Sequence, residues 1–277
     1  MKNFFKSVGK AILYLLAYFG IQLIVSLVAG VVFAIIALLS GDMETATLEN
    51  DILSYTTIIL LISNALTLLF IWLFFKIREK SIVNEIGLRK CNWKLALAAV
   101  VFGVGFTFGL SWTMEIIPFP ESMVESFTSS HDTLSTGNPI IGFISVAIFA
   151  PLVEEVFFRG LIYTRLKQGM PKVVAAVISA LMFGVMHGEV IWILYAFVVG
   201  LMLVWVFEKT NSLLACILVH AANNGLSQLT ENAPELPDGL SLAITVVSVI
   251  AVVVAVVYLV KGSCVKEAEG KEEWNDI

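Results

Sequence analysis

Apolar residues in this chain run in long, nearly unbroken stretches, and short polar segments divide them. About 20 apolar residues cross a bilayer as an α-helix. That length divides the chain into eight predicted spans, at about 11–39, 52–75, 93–117, 139–164, 173–188, 190–207, 212–230 and 240–260. The fifth is short, so the fifth and sixth read as a tight helical hairpin that barely reaches the far surface. The expected fold class is all-α, a polytopic membrane protein with a single transmembrane domain over 1–260. A polar tail over 261–277 is expected to be disordered. The connection at 118–138 holds Pro118, Pro120 and a Ser/Thr-rich middle, which reads as a mobile cap or an interfacial turn. No internal repeat interrupts this plan.

Charge then orients the spans. Lys and Arg stay in cytoplasmic loops. They fall at Lys2, Lys6 and Lys10, then Lys76, Arg78, Lys80, Arg89, Lys90 and Lys94. They recur at Arg165, Lys167 and Lys172, at Lys209, and at Lys261, Lys266 and Lys271. The connections between these groups hold no Lys or Arg and carry Asp and Glu instead. Both termini are therefore expected in the cytoplasm. Arg159 alone sits inside a span.

Composition agrees with this class. The chain is 58% hydrophobic and 14% charged, against about 25% charged in soluble domains. Its 19 Phe and 19 Gly suit packed membrane helices, and its mean hydropathy is +0.92. The net charge of -5 says little, because the charges are segregated, and no basic face large enough for nucleic acid appears. Three cysteines, Cys91, Cys216 and Cys264, are expected as free thiols.

The candidate chemistry is the set of polar residues inside the spans. The fourth span contains Ala150-Pro-Leu-Val-Glu-Glu-Val-Phe-Phe-Arg-Gly160. A charge at the bilayer centre costs roughly 2.5–3.5 kcal/mol on insertion scales, so Glu154, Glu155 and Arg159 each need a partner. Glu155 and Arg159 are spaced i, i+4, the favourable order for a helical ion pair and an arrangement that is often purely positioning. Glu154 points about 100° away and needs a partner from another helix. Pro151 removes a backbone bond to the Ala147 carbonyl and is expected to kink the helix. The fifth span ends in Phe183-Gly-Val-Met-His187, and the seventh holds His220-Ala-Ala-Asn-Asn224. Glu154 lies about 16 Å from Arg165, His187 about 21 Å from Val173 and His220 about 12 Å from Ser212 along their helix axes. The three side chains are thus expected at similar depths on three helices, around one polar site. His131 in the outer connection reads as solvated, and Cys216 as a small packing residue rather than a nucleophile.

Glu154-Glu155-x-x-x-Arg159, Phe183-x-x-x-His187 and His220-x-x-x-Asn224, in that order and each in a span, resemble the motif set of the CPBP family. That family holds the type II CAAX prenyl endopeptidases and bacterial relatives linked to bacteriocin processing and self-immunity. The resemblance covers about 139–230. It implies an eight-span helical fold, peptide-bond hydrolysis inside the membrane and a site facing the cytoplasm. In that reading Glu154 is the general base and His187 holds the water. His220 and Asn224 stabilise the oxyanion, and Glu155 and Arg159 orient the helix face, with Arg159 available to a substrate carboxylate. Glu154, His187 and His220 are also a conceivable zinc set, whereas a metal-free glutamate mechanism uses the same residues. The expected partners are the bilayer and a peptide or membrane-anchored protein substrate, in a prokaryotic cell membrane. A membrane scaffold that keeps the fold without catalysis, and a transporter with a polar pathway, are the competing classes.

Overall fold

The computed structural model describes residues 2–40, 52–89, 91–135, 137–230 and 237–269, and no strand occurs among them. The helices are α1 Lys2–Ser40, α2 Thr56–Ile77, α3 Trp93–Ile116, α4 Glu121–Ser135, α5 Pro139–Leu166, α6 Lys172–Val185, α7 Val190–Thr210, α8 Leu213–Thr230 and α9 Asp238–Glu269. Six of them, in α1, α2, α3, α5, α7 and α9, are long and apolar enough to cross a membrane. The chain is an all-α polytopic membrane protein.

Two of the eight expected spans fall short of that measure. Helix α6 has only 14 residues, and α8 carries His220, Asn223, Asn224, Ser227 and Gln228 along its length. The connection at 118–138 is also more ordered than expected. It folds into α4, whose Phe127 packs edge-on against Trp192 of α7 with ring centroids 5.7 Å apart. Helix α9 continues to Glu269, so the first part of the expected tail is helical. The connections 41–51 and 231–236 and the tail from residue 270 lie outside the described residues, and so does the Cys264 side chain. Cys91 and Cys216 form no disulfide.

Apolar residues on α1 and α9, such as Leu16, Leu27, Val247 and Val254, are mostly exposed, as lipid-facing positions are. The core lies instead around α5. Every residue from Val156 to Tyr163 is buried, enclosed by α1, α6, α7 and α8. The α5 chain starts cleanly because the Asn138 side chain accepts from the Ile140 and Ile141 amides at 3.0 and 3.2 Å, with Pro139 in the first turn. Two stretches, Ile144–Phe149 and Val156–Tyr163, are wound as π-helix. Helices α6 and α7 form the expected hairpin. A Cβ on Gly184 would lie 2.7 Å from the Ile193 carbonyl oxygen, so only glycine allows the two backbones to come this close.

The Lys/Arg-rich end is tied shut by the connection after α2. Ser212 Oγ donates to the Arg89 carbonyl at 2.7 Å, and the Leu213 amide to the Gly87 carbonyl at 3.1 Å. A Cβ on Gly160 would lie 2.9 Å from Ile86 Cβ, so this connection sits directly on α5. Glu85 pairs with Lys80 at 2.9 Å and with Arg165 at the end of α5. Partial burial alone would raise the Glu85 carboxyl, but the bonds from Lys80 and Arg165 outweigh it and hold the group below its ordinary value. A depressed carboxyl contributes stability above its unfolded pKa and loses it as pH falls through the folded one. Glu85→Gln is therefore expected to lower the melting temperature in detergent at neutral pH, with a stability loss of about 1 kcal/mol or less for pairs that stay partly solvated. The gap from wild type should close as the pH drops below about 4, the ordinary carboxylate range. A gap that persists there would show that the ion pairs do not carry the effect.

Candidate active site

Glu154 and Glu155 are neighbours on α5 and point to different surroundings, as their angular offset requires. Glu155 is fully buried. Its Oε1 accepts from Arg159 Nη1 at 2.8 Å, the expected i, i+4 pair, and lies 2.8 Å from His220 Nδ1. A carboxylate paired with a guanidinium can only accept, so the imidazole donates through Nδ1–H. Arg159 also donates from Nη2 to the Gly200 carbonyl of α7 at 3.2 Å, and its guanidinium lies 4.5 Å from the Phe183 ring centroid. Both charges are spent on the core. Arg159 is 1% exposed and does not line the cavity, which removes it as a holder of substrate carboxylates.

Glu154 faces a cavity of about 890 Å³ whose walls include His187, His220, Asn223 and Asn224. Its Oε2 lies 3.7 Å from His220 Nε2, beyond a hydrogen bond but close enough for direct electrostatic interaction. His187 stands just past the end of α6, in a turn closed by Gly188 at φ +80°. Its Nδ1–H donates to the Phe183 carbonyl at 3.0 Å, one of the carbonyls a helix end leaves without an internal partner. Both rings are thus pinned through Nδ1, and each keeps Nε2 for other work. Phe183 meets both edge-on, at 5.0 Å for His187 and 5.8 Å for His220.

The π-turns explain the placement of Asn224. The Ala150 amide bonds five residues back, to the Ser145 carbonyl. In that register the carbonyl left without a donor by Pro151 is Val146, not Ala147 as an α-helical count gives. Asn224 Nδ2 donates to it at 3.1 Å. One amide hydrogen of Asn224 is thereby used to join α8 to α5, and the other is left for the cavity.

The cavity brings together Glu154, His187, His220 and Asn224, while Glu155 and Arg159 stand behind it. Among the described residues no three His, Cys, Asp or Glu side chains are grouped closely enough to share a metal ion. No step proposed below runs through a metal. Cys216 is fully buried against the Leu203 and Ser212 carbonyls and lines no part of the cavity. Two walls were not anticipated. Tyr18 and Gln22 of α1 line the same cavity as Glu154, and Gln22 donates to Asn64 of α2 at 3.2 Å. A glutamine inside so apolar a helix was the available signal. His131, expected in solvent, lines the cavity instead, its ring 6.4 Å from Trp192.

Fold and site define a polytopic helical membrane protein with an acid and two imidazoles at one cavity among its spans. Residues 136–226 match the family described as Rce1-like, type II CAAX prenyl endopeptidase. The resemblance carried by the three motifs is therefore shown for the segment that contains all of them. Among curated relatives, the UPF0177 protein YxdF of Lactococcus lactis subsp. lactis (strain IL1403) is 27% identical over 143 residues, covering 48% of this chain and 76% of the relative. No solved structure matches.

Removing one member of a buried ion pair strands the other, at a cost of about 3–5 kcal/mol. Glu155→Gln and Arg159→Met should each lower the unfolding temperature of the detergent-solubilised protein by many degrees. The double variant should lose clearly less than the sum of the two, because neither member of the Glu155–Arg159 pair is left without the other. Additive losses would mean that the pair does not act as a unit.

Proposed function

We propose that this protein is an endopeptidase that hydrolyses a peptide bond within the membrane, in a peptide or a membrane-anchored protein. The observation that carries the reading is a carboxylate and two imidazoles lining one cavity, each ring held through Nδ1. Glu154 takes a proton from water, and the water oxygen adds to the scissile carbonyl. His187, with its hydrogen on Nδ1, presents a lone pair at Nε2 that accepts the second water hydrogen and fixes the attack direction. The spare hydrogen of Asn224 donates to the oxyanion. For His220 to donate as well, its ring carries a hydrogen on each nitrogen, and the Glu155 carboxylate is placed to balance that charge. Glu154 then returns its proton to the leaving amine as the C–N bond breaks, so that water is divided between the two products.

The Lys/Arg-rich end of the bundle is assigned to the cytoplasm on charge. Glu154→Ala and His187→Ala are expected to reduce cleavage by about 10²-fold or more while insertion and melting stay near wild type. Comparison of membrane peptides by mass spectrometry, from cells with wild-type or Glu154→Ala protein, reads this out and yields the substrate. Full cleavage by both variants would end the enzymatic reading. Substrate-dependent flux into liposomes without any cleavage would favour a transporter.

A further inference from the structure

The floor and the mouth of the cavity lie at opposite ends of the bundle. Its deep walls are Phe158, Phe183 and Val199, none more than 4% exposed. Its shallow walls are Ile117 and Val124, each 44% exposed, and the exposed Ser227. Past the floor, Leu161, Ile162, Tyr163 and Leu166 of α5 are all buried, and the connection after α2 is bonded over them to α8. That sealed end carries the Lys and Arg of the chain's connections. The mouth end carries none at 118–138 or 186–189, nor in the sequences of 41–51 and 231–237. No Lys or Arg lines the cavity either.

Helix α4 lies across this mouth. Its Ser126 Oγ donates to Glu189 Oε2 at 2.6 Å, and Ser130 Oγ to Glu189 Oε1 at 3.5 Å. With the ring contact of Phe127 on Trp192, these hold the helix over the α6–α7 turn that carries His187.

The geometry points to entry from outside the cytoplasm. Resting on the endopeptidase reading, the substrate is an internal peptide segment presented at the extracytoplasmic face, which passes beneath α4 to reach Glu154. The cytoplasmic tail of a protein does not fit this route. This reverses the expectation of a site facing the cytoplasm, because Lys and Arg retain the sealed end inside.

Single-cysteine labelling tests the route. In a chain whose native cysteines are replaced, Ser227→Cys reports on the mouth and Lys94→Cys on the opposite end. Ser111→Cys, a second exposed wall position, serves if Ser227→Cys does not accumulate. The probe is a membrane-impermeant sulfonated maleimide applied to intact cells, then to permeabilised ones. Labelling of the mouth cysteine in intact cells, with Lys94→Cys reacting only after permeabilisation, is the expected result. A mouth cysteine that reacts only after permeabilisation, or not at all, overturns the proposal, and so does Lys94→Cys reacting in intact cells. Labelling reads access, whereas cleavage by Glu154→Ala reads chemistry, so the two readings fail separately.

Discussion

One carboxylate oxygen holds this bundle in register. Glu155 Oε1 receives the guanidinium of its own helix and the imidazole of α8, while that guanidinium reaches the Gly200 backbone of α7. In a medium without water, each charge has only the protein to satisfy it. The three helices therefore have one mutual spacing at which no charge is abandoned. Phe183 fills the centre of that arrangement. Its ring lies over the guanidinium and against both imidazoles. The pocket-facing Glu154 owes its position to the fixed neighbour beside it.

The π-wound stretches of α5 serve the same end. A wider turn releases carbonyls from the helix's own ladder, and side chains of adjacent helices take them up. Asn224 occupies the Val146 carbonyl, and Ser179 Oγ donates to the Phe158 carbonyl at 3.0 Å. Irregular backbone at membrane depth is tolerated where protein covers it. Here it becomes the adhesive between helices, and it sets where the polar groups of α8 sit along α5.

Much of this was legible in the chain. The apolar runs gave the helical class, and the depths counted from Arg165, Val173 and Ser212 put Glu154, His187 and His220 at similar levels. The i, i+4 spacing of Glu155 and Arg159 was enough to pair them. What local spacing could not show was contact between helices distant in sequence. The bond from His220 to Glu155, the wall supplied by Tyr18 and Gln22, and the folding of α4 over the mouth all depend on tertiary packing. Helices α6 and α8 miss the length-and-apolarity measure for a related reason: helices buried beside a polar site are free to be shorter or wetter than helices bathed in lipid. The backbone partner of Pro151 was misassigned because the count assumed α-helical winding where the turn is wider.

The shortness of α6 has its own consequence for the surrounding lipid. Fourteen residues extend about 21 Å along a helix axis, against a hydrocarbon slab of about 30 Å. Lipid beside the α6–α7 hairpin must thin to meet it. Headgroups and their hydration are thereby drawn inward toward the turn bearing His187. Water then reaches this depth by way of a dimple in the bilayer.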